Sequence, residues 1–191
     1  MGKQKDLYDV ILVVDLESTC WKDKKEQPDG CFSDIIEFGI AAINLKTRSV
    51  VPGISYYVLP TTSTISDYCV NLTKITPGTL VENGYPFLQV CHRIMEDYKS
   101  KSRPWISWGN YDRKQTEKQC LRENVPFPFG ETHWNMRDLY TVLRGLSEKI
   151  GLSKALDLEG MSFIGQPHSG RDDAFNIARL FAKLVLQWEN V

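Results

Sequence analysis

Val10-Ile11-Leu12-Val13-Val14-Asp15-Leu16-Glu17-Ser18-Thr19-Cys20-Trp21 is a five-residue aliphatic run that ends in two carboxylates and a string of small polar residues. So short a run of Val, Ile and Leu reads as a strand buried on both faces. Asp15 and Glu17 stand two residues apart, so if the strand continues through them both side chains leave the same face of the sheet. Like charges held that close repel. A shared proton or a bound cation relieves the repulsion, and hard divalent ions with oxygen ligands suit a carboxylate pair at the mouth of a sheet. Taken alone, the pair fits a solvated exit from strand to loop better than a site. What changes that balance lies far down the chain, at His168.

Working outward, 191 residues that are 42% hydrophobic, 11% aromatic and 25% charged suffice for one full-sized core and are short for two. A formal net charge of −1, with no basic run beyond Lys22-Asp23-Lys24-Lys25, argues against capture of a polyanion by bulk electrostatics. The five cysteines form no C-x-x-C pair and are odd in number, which points to reduced thiols in the cytoplasm rather than to a disulfide framework or a structural zinc site. Met1 to Asp6 is polar, with no apolar stretch behind a basic start, and no segment approaches the length a bilayer needs. No membrane partner is expected.

Ile35 to Ile43 reads as a second strand interrupted by Glu37, and Ser55 to Leu59 as a third that stops at Pro60. Their short polar connection favours antiparallel pairing, because a parallel crossover needs a dozen or more residues. Ser66 then caps a short helix to Leu72, and Thr76-Pro77-Gly78 breaks it. Phe87 to Lys99 is amphipathic; Trp105 to Trp108 is a short strand; Arg113 to Glu123 is a polar helix; Asn124 to Gly130 is a loop. Met136 to Leu146 is a helix with Leu139, Val142, Leu143 and Leu146 on one face, and Leu152 to Leu158 is a shorter one. Asp172 to Trp188 closes the chain as a long helix that buries Ile177, Phe181, Leu184, Val185 and Trp188. Strands first, helices after and one strand returning late predict a single α/β domain with a mixed central sheet flanked by helices.

Two further clusters accompany the opening acids. Asp112 follows the strand at Trp105 to Trp108, and His168-Ser169-Gly170-Arg171-Asp172-Asp173-Ala174 opens the last helix. Each acid sits where a strand or loop hands over to a helix, the place where α/β sheets put their ligand crevices. His168 and Asp173 are five residues apart and diverge on a regular helix, so they converge only if His168 lies outside it, with Gly170 as the flexible turn. Four carboxylates and a histidine at three such junctions form the inventory of a two-metal phosphodiester-cleaving site, in which ions about 4 Å apart bridge the scissile phosphate. A neutral His168 would take the proton from the attacking water.

These residues carry a resemblance. Asp15-x-Glu17 after an apolar strand, Asp112 after a W-G-x-Y element and H-x-G-x-D-D-A at the last helix are similar to the motifs of the DEDDh 3′→5′ exonucleases. That group has an RNase-H-like fold and includes RNase T and the proofreading subunit of DNA polymerase III. The likeness runs from about Tyr8 to Trp188, with residues 1–191 forming one exonuclease domain. Asp15-Leu16-Glu17-Ser18-Thr19-Cys20-Trp21, Ser66-Asp67-Tyr68-Cys69 with Leu72-Thr73-Lys74-Ile75-Thr76, and Ser107-Trp108-Gly109-Asn110-Tyr111-Asp112 narrow it to Eri-type exoribonucleases and bacterial KapD-like relatives.

The resemblance implies Asp15, Glu17 and Asp173 as ligands of two divalent cations, Mg2+ or Mn2+, with Asp112 a ligand directly or through water and His168 the general base. It also implies that the backbone after Glu17, at Ser18, Thr19 and Cys20, touches the terminal nucleotide. Trp21 and Leu72 are candidates for apolar walls against the last base, since a flat side chain holds a base without reading it; covering the sheet and packing the core are their structural alternatives. Cys20 reads as a packed residue rather than a reactive thiol, Asp172 as helix-start charge, and Glu37 as a structural partner near the second strand.

The expected activity is removal of nucleoside 5′-monophosphates from the 3′ end of a single-stranded nucleic acid, RNA before DNA. The extra nucleic-acid-binding domain of eukaryotic Eri enzymes has no room in this length, so targeting would come from the catalytic domain, a protein partner or a homodimer. A catalytically silent protein that binds nucleic-acid ends or a regulatory partner is the alternative, and a phosphodiesterase of small dinucleotides a weaker third.

Overall fold

A computed structural model describes residues 7–188 of the chain. Met1 to Asp6, on which the expectation of no leader rests, lie outside the described residues, as do Glu189 to Val191. Among the described residues a five-stranded sheet runs in the order β3-β2-β1-β4-β5. β1 (Val10–Ser18) continues through both acids, pairs antiparallel with β2 (Ile35–Asn44) and parallel with β4 (Trp105–Ser107). β3 (Ser49–Tyr57) extends β2 antiparallel at one edge, and β5 (His133–Asn135) extends β4 in parallel at the other. The sheet is mixed, as the sequence predicts.

β1 divides the core. Leu12, Val14 and Leu16 project to one side, among Phe38, Phe87, Ile94, Trp105 and Phe129, where α3 (Phe87–Tyr98) packs. Ile11 and Val13 project to the other, against Ile177, Ala178 and Phe181 of α7 (Gly170–Leu184). By the two-residue period of a strand, Asp15 and Glu17 continue the side that faces α7. The remaining helices are α1 (Asp67–Thr73), α2 (Pro77–Asn83), α4 (Tyr111–Glu123), α5 (Met136–Leu143) and α6 (Leu152–Leu158).

Several expectations change. β3 begins at Ser49 rather than Ser55 and includes Pro52, which an edge strand tolerates because one row of its N–H groups has no partner strand. Thr76-Pro77-Gly78 starts a helix instead of ending one: the Thr76 side chain accepts from Thr79 N, and Pro77 takes a first-turn position that needs no N–H. β5 has three residues and no apolar pattern to announce it. In α5 the buried side chains are Met136 and Tyr140, while Val142 is 79% exposed. That helix stops at Leu143, and Gly145 follows at φ 60°, so Leu146 reaches the core from outside the helix. The last helix stops at Leu184; Val185 is exposed, and Trp188 folds back into the core after Gln187 turns left-handed. Among the described residues no helix is long and apolar enough to cross a membrane.

Candidate active site

The start of α7 is pressed onto the sheet by glycines. A Cβ on Gly39 would lie 1.8 Å from the carbonyl carbon of Gly170, and one on Gly53 would lie 2.3 Å from the carbonyl oxygen of Arg171. Backbone therefore meets backbone, closer than any side chain allows. Glu37 holds the contact. Its buried carboxylate accepts from Gly170 N at 3.0 Å, from Arg171 N at 3.3 Å and from the Ser55 hydroxyl at 2.6 Å. A negative group that satisfies the free N–H groups of a helix start is favoured by the helix dipole, and Ser169, at the cap position, makes no capping side-chain bond. Glu37 is thus tied into the fold.

With α7 seated on the side of β1 that carries Asp15 and Glu17, its first turn brings in Asp173. Asp15, Glu17 and Asp173 each offer a carboxylate oxygen, and those atoms lie within 4.8 Å of one another. His168 N donates to Asp173 Oδ2 at 2.8 Å, and the left-handed backbone of the turn is at His168 itself, φ 64°. Gly170, expected to be the flexible element, is instead buried and already helical. Asp172 faces away from this group, accepting from Gln166 N and pairing with Arg171 at 3.0 Å. Asp112, in the first turn of α4, accepts from Leu16 N at 3.1 Å, which ties that helix to β1 between the two strand acids. Asp15, Glu17, Asp112, His168 and Asp173 all line one cleft of about 540 Å³.

Electrostatically the cleft is under-compensated. Burial, then repulsion from Asp112, Asp173, Glu17 and Glu37, holds the Asp15 carboxyl well above the usual range. Burial, then Glu37, Asp173 and Asp112, pushes Glu17 up to about 9. Asp112 is pushed up to about 7 by burial against the opposing pull of the backbone N–H groups and Ser107. Asp173 reaches about 7 by burial, against the His168 N–H that favours its charged form. Acids that cannot all ionise unaided, with hard oxygen donors converging, fit a divalent cation.

Of the other expected residues, Ser18 directly follows Glu17 and lies beside Tyr111. Among the described residues lining the cleft, none of Ser18, Thr19, Cys20, Trp21 and Leu72 figures. Ser18 is buried, and its Oγ takes no hydrogen bond of ordinary geometry. Thr19 is buried with its hydroxyl between Ser63 and Asp34 N. The Cys20 carbonyl accepts from the Ser66 hydroxyl at 2.6 Å, and burial with Cys69 beside it pushes the thiol up to about 12, so it is no thiolate. Trp21 and Leu72 are half-buried. Apolar surface at the cleft comes instead from Trp108, Tyr111, Leu152 and Pro167. Trp108 and Tyr111 stand inside the quoted W-G-N-Y-D stretch, where the sequence signal for them is the same one that frames Asp112.

The RNase T family model, described as an exonuclease, matches residues 12–181. Over 182 residues the chain is 35% identical to the probable 3′-5′ exonuclease KapD of Bacillus subtilis (strain 168), covering 93% of this chain and 84% of that one. It is 30% identical over 209 residues to ERI1 exoribonuclease 2 of Homo sapiens, covering 96% of this chain and 29% of that protein. The chain thus spans less than a third of that relative's length. The solved nuclease domain of 3′hExo, a DEDDh family member bound to rAMP, superposes with a TM-score of 0.82 at 28% identity, covering 96% of this chain and 94% of that one.

Proposed function

The chain belongs to the RNase T exonuclease family, and from that premise we propose that it is a divalent-metal-dependent 3′→5′ exonuclease of single-stranded nucleic acid, RNA before DNA. It would release nucleoside 5′-monophosphates, with residues of about 8–188 as the catalytic unit and the reducing cytoplasm as its compartment. One observation carries the reading: carboxylates from β1 and α7, far apart in sequence, converge within 4.8 Å in a cleft whose acids are held above their usual range. The 28%-identical nuclease domain bound to rAMP supports a ribonucleoside monophosphate as product.

Asp15, Glu17 and Asp173 would hold two cations, Mg2+ or Mn2+, with Asp112 contributing directly or through water. When bound, the cations supply an activated water and neutralise charge at the scissile phosphate. His168, exposed on its turn beside Asp173, takes the water's proton on an imidazole nitrogen. The water oxygen bonds to phosphorus as the bond to the upstream 3′ oxygen breaks, and that oxygen leaves as a hydroxyl with a proton from solvent. Ser18, Thr19 and Cys20 meet the terminal nucleotide through backbone, with Trp21 and Leu72 beyond them.

The test is a 5′-labelled oligonucleotide incubated with manganese. Stepwise shortening is expected, in RNA faster than in DNA, and none from Asp15→Ala or Asp173→Ala protein. Internal cuts alone, or equal activity in either variant, would remove the reading.

A further inference from the structure

Tyr111, Gln115, Lys118 and Arg122 of α4 are spaced four, three and four residues apart, so at about 100° per residue they form one stripe along the helix. Tyr111 lines the acid cleft. Gln115, Lys118 and Arg122 line a second cleft of about 530 Å³, walled on its other side by Lys24 and Phe32 from the connection between β1 and β2. Its chemistry is the opposite of the first. Three cationic side chains enter its lining and no carboxylate does, among the described residues. The Phe32 ring is 54% exposed, and the Arg122 guanidinium lies over it, 5.2 Å from its centroid. Arg122 is held there by the buried Asp34 carboxylate and by Glu123. Lys24 and Lys118 are exposed and form no ion pair among the described residues.

We propose that this second cleft binds the single strand just upstream of its 3′ end, phosphates on Lys24 and Lys118 and one base on Phe32. Cations beside an exposed ring are what a sequence-independent single-strand site needs. Continuity supplies the occupant. The stripe leads from the acid cleft into the cationic one, and at 1.5 Å per residue Lys118 and Arg122 lie about 10 Å and 16 Å along α4 from Tyr111, within reach of a few nucleotides. A net charge of −1 provides no general attraction for a polyanion, so this local field is where the chain would hold one. The proposal rests on the exonuclease reading for the presence of a strand end at Tyr111.

The test measures fluorescence anisotropy of 5′-labelled single strands in chelator, a dinucleotide against an octanucleotide. The octanucleotide binds more tightly, and the joint Lys24→Glu and Lys118→Glu substitutions abolish that advantage. They also make the slope of log affinity against log salt shallower by about 1.4, two phosphate contacts at roughly 0.7 each. Phe32→Ala weakens the octanucleotide about tenfold without moving the slope. Equal binding of both lengths by the unsubstituted protein, or an unmoved slope in the charge-reversed variant, overturns the proposal. So does an acidic peptide that displaces the octanucleotide from the unsubstituted but not the charge-reversed protein while the length advantage is absent. Manganese-dependent shortening is scored separately. Its absence with the length advantage intact sinks the exonuclease reading alone; its presence with flat binding sinks the second cleft alone.

Discussion

The two sides of β1 share one strand and obey opposite physics. On the side of Leu12, Val14 and Leu16 a cluster of buried apolar and aromatic side chains packs, and burial there lowers the free energy of the folded chain. On the side of Ile11 and Val13 the same apolar pattern gives way within one period to Asp15 and Glu17, whose burial raises it. Stability and function are therefore separable along a single strand. The cationic cleft beside α4 adds a contrast of sign: there Lys24 and Lys118 are exposed and cost the fold little, while Arg122 is paired with the buried Asp34.

Substitutions on the two sides should move activity and stability independently. The largest effect expected is from Asp15→Asn, which should cost activity about 10⁴-fold or more, as loss of a group from a catalytic unit does. It should also raise the thermal midpoint of the chelated protein, because a neutral amide replaces a carboxyl repelled by Asp112, Asp173, Glu17 and Glu37. A lowered midpoint would show that the acid stabilises the fold and would break the contrast. Gly39→Ala should lose on both counts: its methyl cannot fit 1.8 Å from Gly170, so α7 must lift, and a displacement of about 1 Å at a reacting group costs on the order of 10²-fold. Activity and melting measured together decide it. On the apolar side, Leu12→Ala should destabilise by roughly 2–5 kcal/mol while kcat per folded molecule stays near that of the unsubstituted protein, read by denaturant titration and assay below the midpoint.

A further effect expected is a dependence on pH. The folded-state values of Glu17, about 9, and of Asp112 and Asp173, about 7, stand above ordinary carboxylate values. The folded chain thus keeps protons that the unfolded chain has released. That contribution is fully present below the unfolded value of about 4 and is lost as pH climbs through 7 towards 9. Asp9 and Glu159, held below their ordinary values, are ionised throughout and add no slope there. His133, pushed down to about 4 by burial, opposes this trend up to its ordinary value of 6.5, so the thermal midpoint of chelated protein should fall from pH 7 to pH 9, and manganese should restore it more at the upper end. A flat or rising midpoint in chelator would contradict the burial of these acids.

Much of this was legible because it is local. The Val10 to Val14 run, the two-residue spacing of Asp15 and Glu17, the amphipathic period of Phe87 to Tyr98 and the H-x-G-x-D-D-A start of α7 each carry their meaning within a few residues. Where local signals conflict, the sequence alone points the wrong way. Pro52 hid the first half of β3, Thr76-Pro77 looked like a stop, and three residues of β5 were too few to show a period.

The amino-acid order by itself determined which side chains could do chemistry and that the strand acids share a face, since periodicity and residue type need no partner. Only the tertiary structure decided that Gly39 admits the backbone of Gly170, that Glu37 caps α7, and that Phe32 and Lys24 meet Lys118 and Arg122 across a cleft. Those facts are contacts between segments far apart in the chain. They depend on packing distances of a few ångströms, and so does the burial that lifts four carboxylates out of their usual range.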